Sequence, residues 1–354
     1  MQIDRLDLTP RKLGYVMPAE WNKHDSTWLA WPHDPSTFPD RVERVEKVYA
    51  KIIEALHESE NINLFIKDTQ MKQRVLALLQ KDDIDLEKIN FLVFDYADVW
   101  IRDYGPIFVI DKNKRELAMV HWIFNAWGEK YEDLMKDTKI PSIINQQMKL
   151  NYFNPGIVLE GGSIDVNGMG ALLTTEQALL NKNRNPHLSR KEIENYLKEY
   201  LGVNYIVWLK KGIVGDDTDG HIDDIARFVN PKTILCAYEE DKNDGNHLFL
   251  QENYELLLKS KDQSGNPLEI IKLPMPGFVG DEHLRLPASY ANFYIGNKVV
   301  LVPIFEHEND QLALNIIQQF FSNRKVVGID CIDLVCGLGA IHCITQQQPT
   351  VNSF

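Results

Sequence analysis

The stretch GDDTDGHIDDIARF, residues 215–228, concentrates acidic side chains around a single histidine, His221. It runs directly into an apolar segment with the pattern of a buried strand. So much negative charge at the start of a strand is typical either of a solvated turn or of a site that binds a cation. The acidic residues are Asp216, Asp217, Asp219, Asp223 and Asp224.

A metal site is the first chemistry to test against this stretch. An EF-hand loop with Gly220 at its sixth position needs a carboxylate at its first position and a glutamate at its twelfth, and neither is present. A zinc site could use His221, His342 and Cys343, but no CxxC or HxxxH pair supports it. The sequence therefore favours chemistry without a metal.

Nucleophilic catalysis suits the residues better. A cysteine thiolate attacks, a histidine moves the proton and a carboxylate orients the histidine, and Cys343, His221 and Glu160 could take these roles. Asp103 and Asp223 then remain, and beside a neutral ester or amide they would raise the thiol pKa and repel a developing oxyanion. A planar guanidinium instead offers N–H donors that match two carboxylates. These residues predict a guanidinium substrate.

Two tryptophans are candidate substrate-binding residues. Trp100 lies three residues before Asp103 and can offer a flat face to a cation or to its alkyl arm. Trp127 belongs to FNAWG, residues 124–128, which either packs as a loop or forms a wall of the substrate pocket. The spacing does not decide between these two interpretations.

Structural interpretations of the same residues stay open. A lone cysteine such as Cys343 in an apolar segment can be a small core residue, and LEGGS, residues 159–163, can be only a turn with paired glycines. Some aspartates of the acidic stretch can be solvated or can cap a turn, namely Asp216, Asp217 and Asp224.

Composition limits the functional classes. The chain has 354 residues, a net charge of −13 and 44% hydrophobic residues. The negative charge argues against nucleic acid as a partner, and no segment reaches the roughly 18 apolar residues needed to span a membrane. The N-terminus lacks the apolar core of a signal peptide, so we predict a cytoplasmic protein. Four cysteines are too few for a disulfide framework.

Helical and β-type segments alternate, which predicts an α/β fold. Helical periodicity covers residues 41–59, 189–202 and 309–322. Four candidate β-hairpins begin at residues 105, 162, 225 and 291, at spacings of 57, 63 and 66 residues. A fifth, weaker copy begins near residue 340, so five units could close into a ring with one strand of each facing a central axis.

Unusual polar motifs come just before the first strand in four of the five units. They are WIRDYGP (100–106), LEGGS (159–163), DGHIDD (219–224) and IHC (341–343), whereas the fourth unit has only LPASY there. Equivalent ends of equivalent strands would converge at one mouth. The sequence therefore predicts that five distant residues meet there: Asp103, Glu160, His221, Asp223 and Cys343.

Taken in order, these motifs resemble those of the agmatine deiminases and the related bacterial peptidylarginine deiminases. The residues that carry the resemblance are DVWIRDYGP, FNAWG, LEGGS, TDGHIDDIARF and IHCITQQ, and it extends from MPAEW near residue 17 to the C-terminus. The resemblance implies a five-bladed α/β propeller, with residues 1–354 as a single catalytic domain. It implies neither a metal nor an organic cofactor.

The resemblance also implies a role for each candidate residue. Cys343 becomes the nucleophile and His221 the general acid and base. Asp103 and Asp223 become the carboxylates that bind the guanidinium, and Glu160 becomes the partner of His221 or of the substrate.

Two features of this chain depart from the family pattern. The glycine-rich run expected before the cysteine is here interrupted by Cys336, Leu338 and Ala340. Glu129 follows FNAWG where another glycine is usual. Both changes alter the backbone near the expected pocket, so substrate choice is the property they most affect. Cys336 is a second candidate nucleophile, which the family position disfavours.

The resemblance implies that Trp100 forms a wall of the pocket. It also implies hydrolysis of agmatine to N-carbamoylputrescine and ammonia through a covalent cysteine thiouronium intermediate. The alternatives are deimination of arginine in peptides, amidino transfer to an amine acceptor, and non-catalytic binding of polyamines or arginine-rich peptides. The expected partner is a small cationic guanidino substrate, with neither nucleic acid nor membrane, and the resemblance favours a homodimer.

Overall fold

The computed structural model describes residues 8–80 and 84–351. Within these residues, 17 strands form five β-sheets. The strands are β1 (Tyr15–Val16), β2 (His24–Ala30), β3 (Asn61–Ile66), β4 (Ile89–Val93), β5 (Ile107–Asp111), β6 (Glu116–Val120), β7 (Asn151–Phe153), β8 (Asp165–Val166), β9 (Ala171–Thr175), β10 (Tyr205–Leu209), β11 (Ala226–Asn230), β12 (Thr233–Tyr238), β13 (Glu269–Pro274), β14 (Tyr294–Ile295), β15 (Val299–Ile304), β16 (Lys325–Asp330) and β17 (Gln346–Pro349).

One pairing pattern repeats in all five of these sheets. Two antiparallel strands, β17 and β2 in one sheet and a hairpin in the others, are followed by a third strand that pairs in parallel with the second. Because a parallel pairing needs a crossover connection, helical segments lie between the second and third strands. The sheet orders are β1-β5-β6-β7, β10-β9-β8, β11-β12-β13, β14-β15-β16 and β17-β2-β3-β4.

The four predicted hairpins are confirmed as β5–β6, β8–β9, β11–β12 and β14–β15. The fifth unit is assembled from both ends of the chain, because β17 pairs antiparallel with β2 and places Gln346 opposite Trp28. The weak fifth copy near residue 340 therefore contributes only one strand, and the N-terminal segment supplies the rest of the sheet.

The longer helices carry the expected amphipathic pattern. In the first of them, Val45, Tyr49, Ile52 and Leu56 recur at helical spacing and are fully buried. Helical prediction was correct for three segments, although each helix is slightly shorter than its periodic stretch. The helices of nine or more residues are α1 (Val42–His57), α2 (Thr69–Leu79), α3 (Ile140–Met148), α4 (Arg190–Leu201), α5 (His247–Lys259) and α6 (Asp310–Gln318).

Helix α4 shows how local sequence fixes an element. Ser189 and Glu192 form a capping box at its start, and Gly202 ends it with a φ of 70°. In the part of the chain that the structure describes, no helix is long and apolar enough to cross a membrane.

Buried charges join the first strands of neighbouring sheets. Arg227 on β11 is fully buried and pairs with Asp165 on β8 at 3.4 Å and with Glu20 at 2.9 Å. It also donates to the carbonyl oxygen of Phe293, just before β14, at 2.7 Å. Beside β17, Arg102 donates to Gln346 at 2.8 Å. These contacts join β11 to β8 and to the segment before β14, and the turn before β5 to β17, as expected of neighbouring blades in the five-bladed arrangement predicted.

Candidate active site

The turns that precede the inner strands bring the predicted residues together. A single helical turn, Ile101–Tyr104, carries Asp103, and a 3-10 turn, Ile222–Asp224, follows His221. His221 Nδ1 lies 3.6 Å from Asp103 Oδ1, and its Nε2 lies 3.9 Å from Glu160 Oε2. Residues from three sheets therefore surround one imidazole.

The cysteine joins the same cluster from the fifth unit. Cys343 lies in the turn before β17, and its Sγ is 3.8 Å from Asp223 Oδ2. Asp103, Glu160, His221, Asp223 and Cys343 are each at most 6% exposed. The structure thus places all five residues in one buried cluster.

Gly162 of LEGGS has a steric function in this cluster. A Cβ at this position would lie 2.6 Å from His221 Nδ1 and 2.8 Å from Asp103 Oδ1, far closer than such atoms approach. The paired glycines are therefore more than a turn signal, because the second one allows the histidine and the carboxylate to approach.

Several polar atoms of the cluster are buried without a hydrogen-bond partner among the described residues. They include both ring nitrogens of His221, Glu160 Oε2 and Asp223 Oδ1. Buried polar groups are usually paired, and exceptions concentrate at functional sites. Glu160 Oε2 and Asp223 Oδ1 are thus free to accept N–H donors from a cationic ligand, and the Asp223 carboxylate lies beside the cysteine.

Electrostatics favour a protonated His221. Burial lowers the pKa of its imidazole, but the charges of Asp103, Glu160 and Asp223 outweigh burial and raise the pKa to about 10. At neutral pH the ring is therefore an imidazolium that can act as a general acid.

Asp103 and Asp223 differ in their environments. Burial and the neighbouring carboxylates raise the pKa of Asp103 to about 6, although His221 opposes this. Burial also raises the pKa of Asp223, but His342 outweighs it and keeps that pKa below its usual value. His342 Nδ1 lies 2.7 Å from Asp223 Oδ2, and its Nε2 lies 2.9 Å from Glu20 Oε2.

Arg184 holds Glu160 in place. Its Nε donates to Glu160 Oε1 at 2.6 Å, and its Nη1 donates to Asp219 Oδ2 at 2.7 Å. Burial raises the pKa of Glu160, but Arg184 and His221 outweigh it and keep the carboxylate ionised. The sequence analysis did not identify Arg184. Its only sequence signal is that it is a basic residue in the polar segment between β9 and α4.

The other aspartates of the acidic stretch have separate roles. Asp216 accepts the backbone N–H of Gly220 at 2.8 Å and so caps its own loop. Asp219 pairs with Arg184 at 2.7 Å. Asp217 lies at the cavity and contacts Lys130 and Tyr131. Of the stretch that the sequence marked as a possible cation site, Asp223 is the carboxylate within 3.8 Å of Cys343 Sγ.

A cavity of about 320 Å³ leads to the cluster and is strongly acidic. Cys343, Trp100 and Trp127 line it, and within the described residues neither lysine nor arginine does. Trp127 Nε1 donates to Asp103 Oδ2 at 3.0 Å, which fixes both side chains. The carboxylates that line the cavity are those of Asp34, Asp98, Asp103, Glu132, Asp133 and Asp217.

Two of the four departures from the family glycine pattern fall on strained backbone. Glu129 has a φ of 63° and Leu338 a φ of 72°, in the left-handed region that favours glycine. Trp127, at 54°, lies in the same left-handed turn as Glu129. Such conformations cost about 1–2 kcal/mol per residue. Gly339 is kept, and a Cβ there would lie 2.4 Å from the Trp100 ring.

The five sheets and the buried cysteine, histidine and carboxylates define the class of this protein: it is a hydrolase that acts on guanidino groups, with the five-bladed α/β fold of enzymes that modify such groups. The chain belongs to the Porphyromonas-type peptidyl-arginine deiminase family, whose profile matches residues 16–349.

Individual relatives agree with this assignment. A putative agmatine deiminase of Legionella pneumophila is 39% identical over 346 residues, covering 97% of each chain. The agmatine deiminase of Stutzerimonas stutzeri is 37% identical over 367 residues, covering 97% of this chain and 98% of its own. The solved agmatine deiminase of Enterococcus faecalis superposes with a TM-score of 0.91 at 33% identity, covering 98% of this chain and 99% of its own.

Proposed function

We propose that this protein hydrolyses agmatine to N-carbamoylputrescine and ammonia. The observation that carries the proposal is the acidic cavity lined by Cys343 and Asp103, together with the buried cluster to which it leads, where Glu160 Oε2 and Asp223 Oδ1 have free accepting capacity. A guanidinium is planar, permanently charged and rich in N–H donors, so it matches this arrangement. The names of the relatives support agmatine as the particular guanidine.

In the proposed binding mode, Asp103, Asp223 and Glu160 accept N–H donors from the guanidinium. This pairing offsets the charge of the buried carboxylates and fixes the guanidinium carbon against Cys343 Sγ. Trp100 and Trp127 flank the alkyl arm.

The first step is attack by the Cys343 thiolate on the guanidinium carbon. A C–S bond forms, and His221 gives its proton to the departing nitrogen, so that ammonia leaves and a thiouronium cation remains on the sulfur. Because the imidazolium is maintained by three carboxylates, the acid is available at neutral pH.

The second step returns the enzyme to its starting state. Neutral His221 takes a proton from water, and the resulting hydroxide adds to the thiouronium carbon. The C–S bond then breaks, Cys343 leaves as a thiolate, and the product loses its hydroxyl proton to solvent to become the ureido compound. His221 is again an imidazolium, so the cycle consumes one water and releases one ammonia.

Charge in the cavity favours agmatine over free arginine. The α-carboxylate of arginine would meet carboxylates such as Asp34 and Asp133 without a lining cation, whereas the ammonium of agmatine is attracted to them. Close charge pairs of this kind contribute about 1–3 kcal/mol each near a protein surface. Peptidylarginine lacks that α-carboxylate, and the description of the family profile makes it the second candidate substrate.

Substrate comparison tests the proposal. We expect kcat/KM for agmatine to exceed that for free arginine by at least about 100-fold, because repulsion of a few kcal/mol corresponds to that ratio. The measurement is ammonia and ureido product released from agmatine, arginine and an arginine peptide. Turnover of the peptide alone would transfer the proposal to protein modification, and ureido product without stoichiometric ammonia would contradict hydrolysis. Absence of turnover with all three would overturn it.

The pH dependence gives a second test of the binding mode. The pKa of Asp103 is raised to about 6, so its carboxylate is lost as the pH falls through that value. We expect kcat/KM for agmatine to fall about tenfold per pH unit below about 6. Because the pKa is raised in the folded state, protonation of Asp103 does not itself destabilise the fold, and the loss is one of activity.

A matched pair of variants shows which carboxylate causes the fall of kcat/KM below about pH 6. Asp98 also lines the cavity, and burial raises its pKa to about 6 as well. We expect Asp103→Asn to be weakly active and to show no such fall of kcat/KM below about pH 6. Asp98→Asn should still show it. If the loss of activity at low pH disappears in Asp98→Asn instead, it arises from Asp98, and the assignment to Asp103 is wrong.

A further inference from the structure

The fourth unit also contributes a residue to the cluster, although its sequence shows no acidic or histidine motif before the inner strand. Asn292 lies two residues before β14, at the position where the other units place their polar residues, and it is fully buried. Its Nδ2 is 3.2 Å from Cys343 Sγ. The position of Asn292 relative to the strand, rather than any motif, is the signal that could have revealed it.

The orientation of this amide is fixed by its neighbours. Asn292 Oδ1 accepts the backbone N–H of His342 at 2.9 Å, and an N–H can only be met by an acceptor. The backbone carbonyl oxygen of Asn292 accepts the same N–H at 3.1 Å. The amide nitrogen points the other way, where it donates to Asp224 Oδ1 at 2.9 Å and faces Cys343 Sγ. The sulfur is 3.6 Å from Oδ1, so the nitrogen is the closer atom.

The sulfur needs such a donor because its surroundings oppose ionisation. Burial raises the pKa of the Cys343 thiol well above its usual value, and Asp223, Asp224 and Asp103 add to the effect. Burial and neighbouring carboxylates also raise the pKa of Asp224 well above its usual value, which favours its neutral form. A backbone hydrogen bond of Ala340 acts in the opposite direction and lowers the pKa of the thiol, but burial and the carboxylates outweigh it.

We propose that the side-chain amide of Asn292 is a catalytic hydrogen-bond donor that stabilises the Cys343 sulfur as a thiolate. It supports the sulfur before attack and again when the sulfur leaves the product. A neutral amide suits this position, since a lysine or arginine there would pair with the carboxylates that bind the substrate. The inference rests on the proposed function in that it takes Cys343 as the nucleophile.

Alkylation by iodoacetamide tests the inference without any turnover. The thiolate sulfur displaces iodide from this neutral reagent, so the rate at each pH reports the ionised fraction. Rates are measured at Cys343 by peptide mass spectrometry, in a Cys336→Ser background because Cys336 also lines the cavity. The compared chains are this parent, Asn292→Ala, Asn292→Asp and the surface control Asn315→Asp.

Asn292→Asp keeps the shape of the residue and the acceptor for His342, but replaces the donor by an anionic oxygen. We expect the midpoint of alkylation to rise by about one pH unit or more and the rate at pH 7.5 to fall about tenfold or more. Asn292→Ala removes the donor without adding charge and is expected to shift the midpoint in the same direction by less. Asn315 is exposed on α6, so Asn315→Asp should match the parent.

An unchanged alkylation profile in folded Asn292→Ala and Asn292→Asp, with folding checked by near-ultraviolet circular dichroism, would overturn the inference and leave the amide as a backbone support. If only one variant folds, its profile decides.

Agmatine turnover is measured on the same samples. The wild-type chain is assayed beside them. If Cys343 alkylates with the predicted dependence on Asn292 but the wild-type chain does not turn over agmatine, the proposed function is refuted while the donor role at the sulfur is retained.

Discussion

Cys343→Ser is expected to lower agmatine turnover by at least about 1,000-fold, while the protein remains folded and still binds agmatine. A serine hydroxyl is much harder to ionise than a thiol, and burial among carboxylates already raises the pKa of the group at this position. The loss should therefore appear in kcat, because the carboxylates that bind the substrate are unchanged. Ammonia release under saturating agmatine is the measurement.

The intermediate gives this prediction a second readout. In the wild-type chain, acid quenching during turnover should trap a thiouronium adduct on the peptide that contains Cys343, and Cys343→Ser should yield none. Cys336→Ser is the informative comparison because both cysteines line the cavity. An adduct on Cys336, or loss of turnover in Cys336→Ser with activity retained in Cys343→Ser, would assign the nucleophile to the other cysteine.

His221→Gln is expected to lower kcat by about 100- to 10,000-fold, the range typical of removing a general acid and base. Glutamine can still form hydrogen bonds but cannot deliver a proton to the departing ammonia. Removing the imidazolium also leaves Asp103, Glu160 and Asp223 without the cation that they surround, which should further oppose ionisation of the thiol.

Rapid-quench kinetics separate the two steps that His221 would serve. If it acts in both, His221→Gln should show neither a burst of ammonia nor accumulation of the adduct. A burst of one ammonia per site followed by slow turnover would restrict His221 to the hydrolytic step, and kcat within tenfold of wild type would contradict its role altogether. His283→Gln is the matched control, since the His283 side chain is 83% exposed.

A large part of the fold could be predicted because its signals are local. Each hairpin is an apolar run, a polar turn and a second apolar run, and this pattern identified four of the antiparallel pairs in the described structure. The helical periodicity of residues 189–202 likewise predicted α4, whose start is fixed by the capping box of Ser189 and Glu192. The closure of the fifth sheet was not visible in this way, because β17 and β2 are separated by more than 300 residues and neither predicts its partner.

The sequence by itself determined which residue types are available and on which side of each repeated strand they lie. Because the repeats are equivalent, it also predicted that Asp103, Glu160, His221, Asp223 and Cys343 would meet. Tertiary structure alone decided which side chains contact them. Arg184 hydrogen-bonds Glu160, His342 hydrogen-bonds Asp223, and the amide of Asn292 contacts the sulfur of Cys343. Burial and the sum of nearby charges set the pKa of each group, and both depend on atoms that only folding brings within a few ångströms.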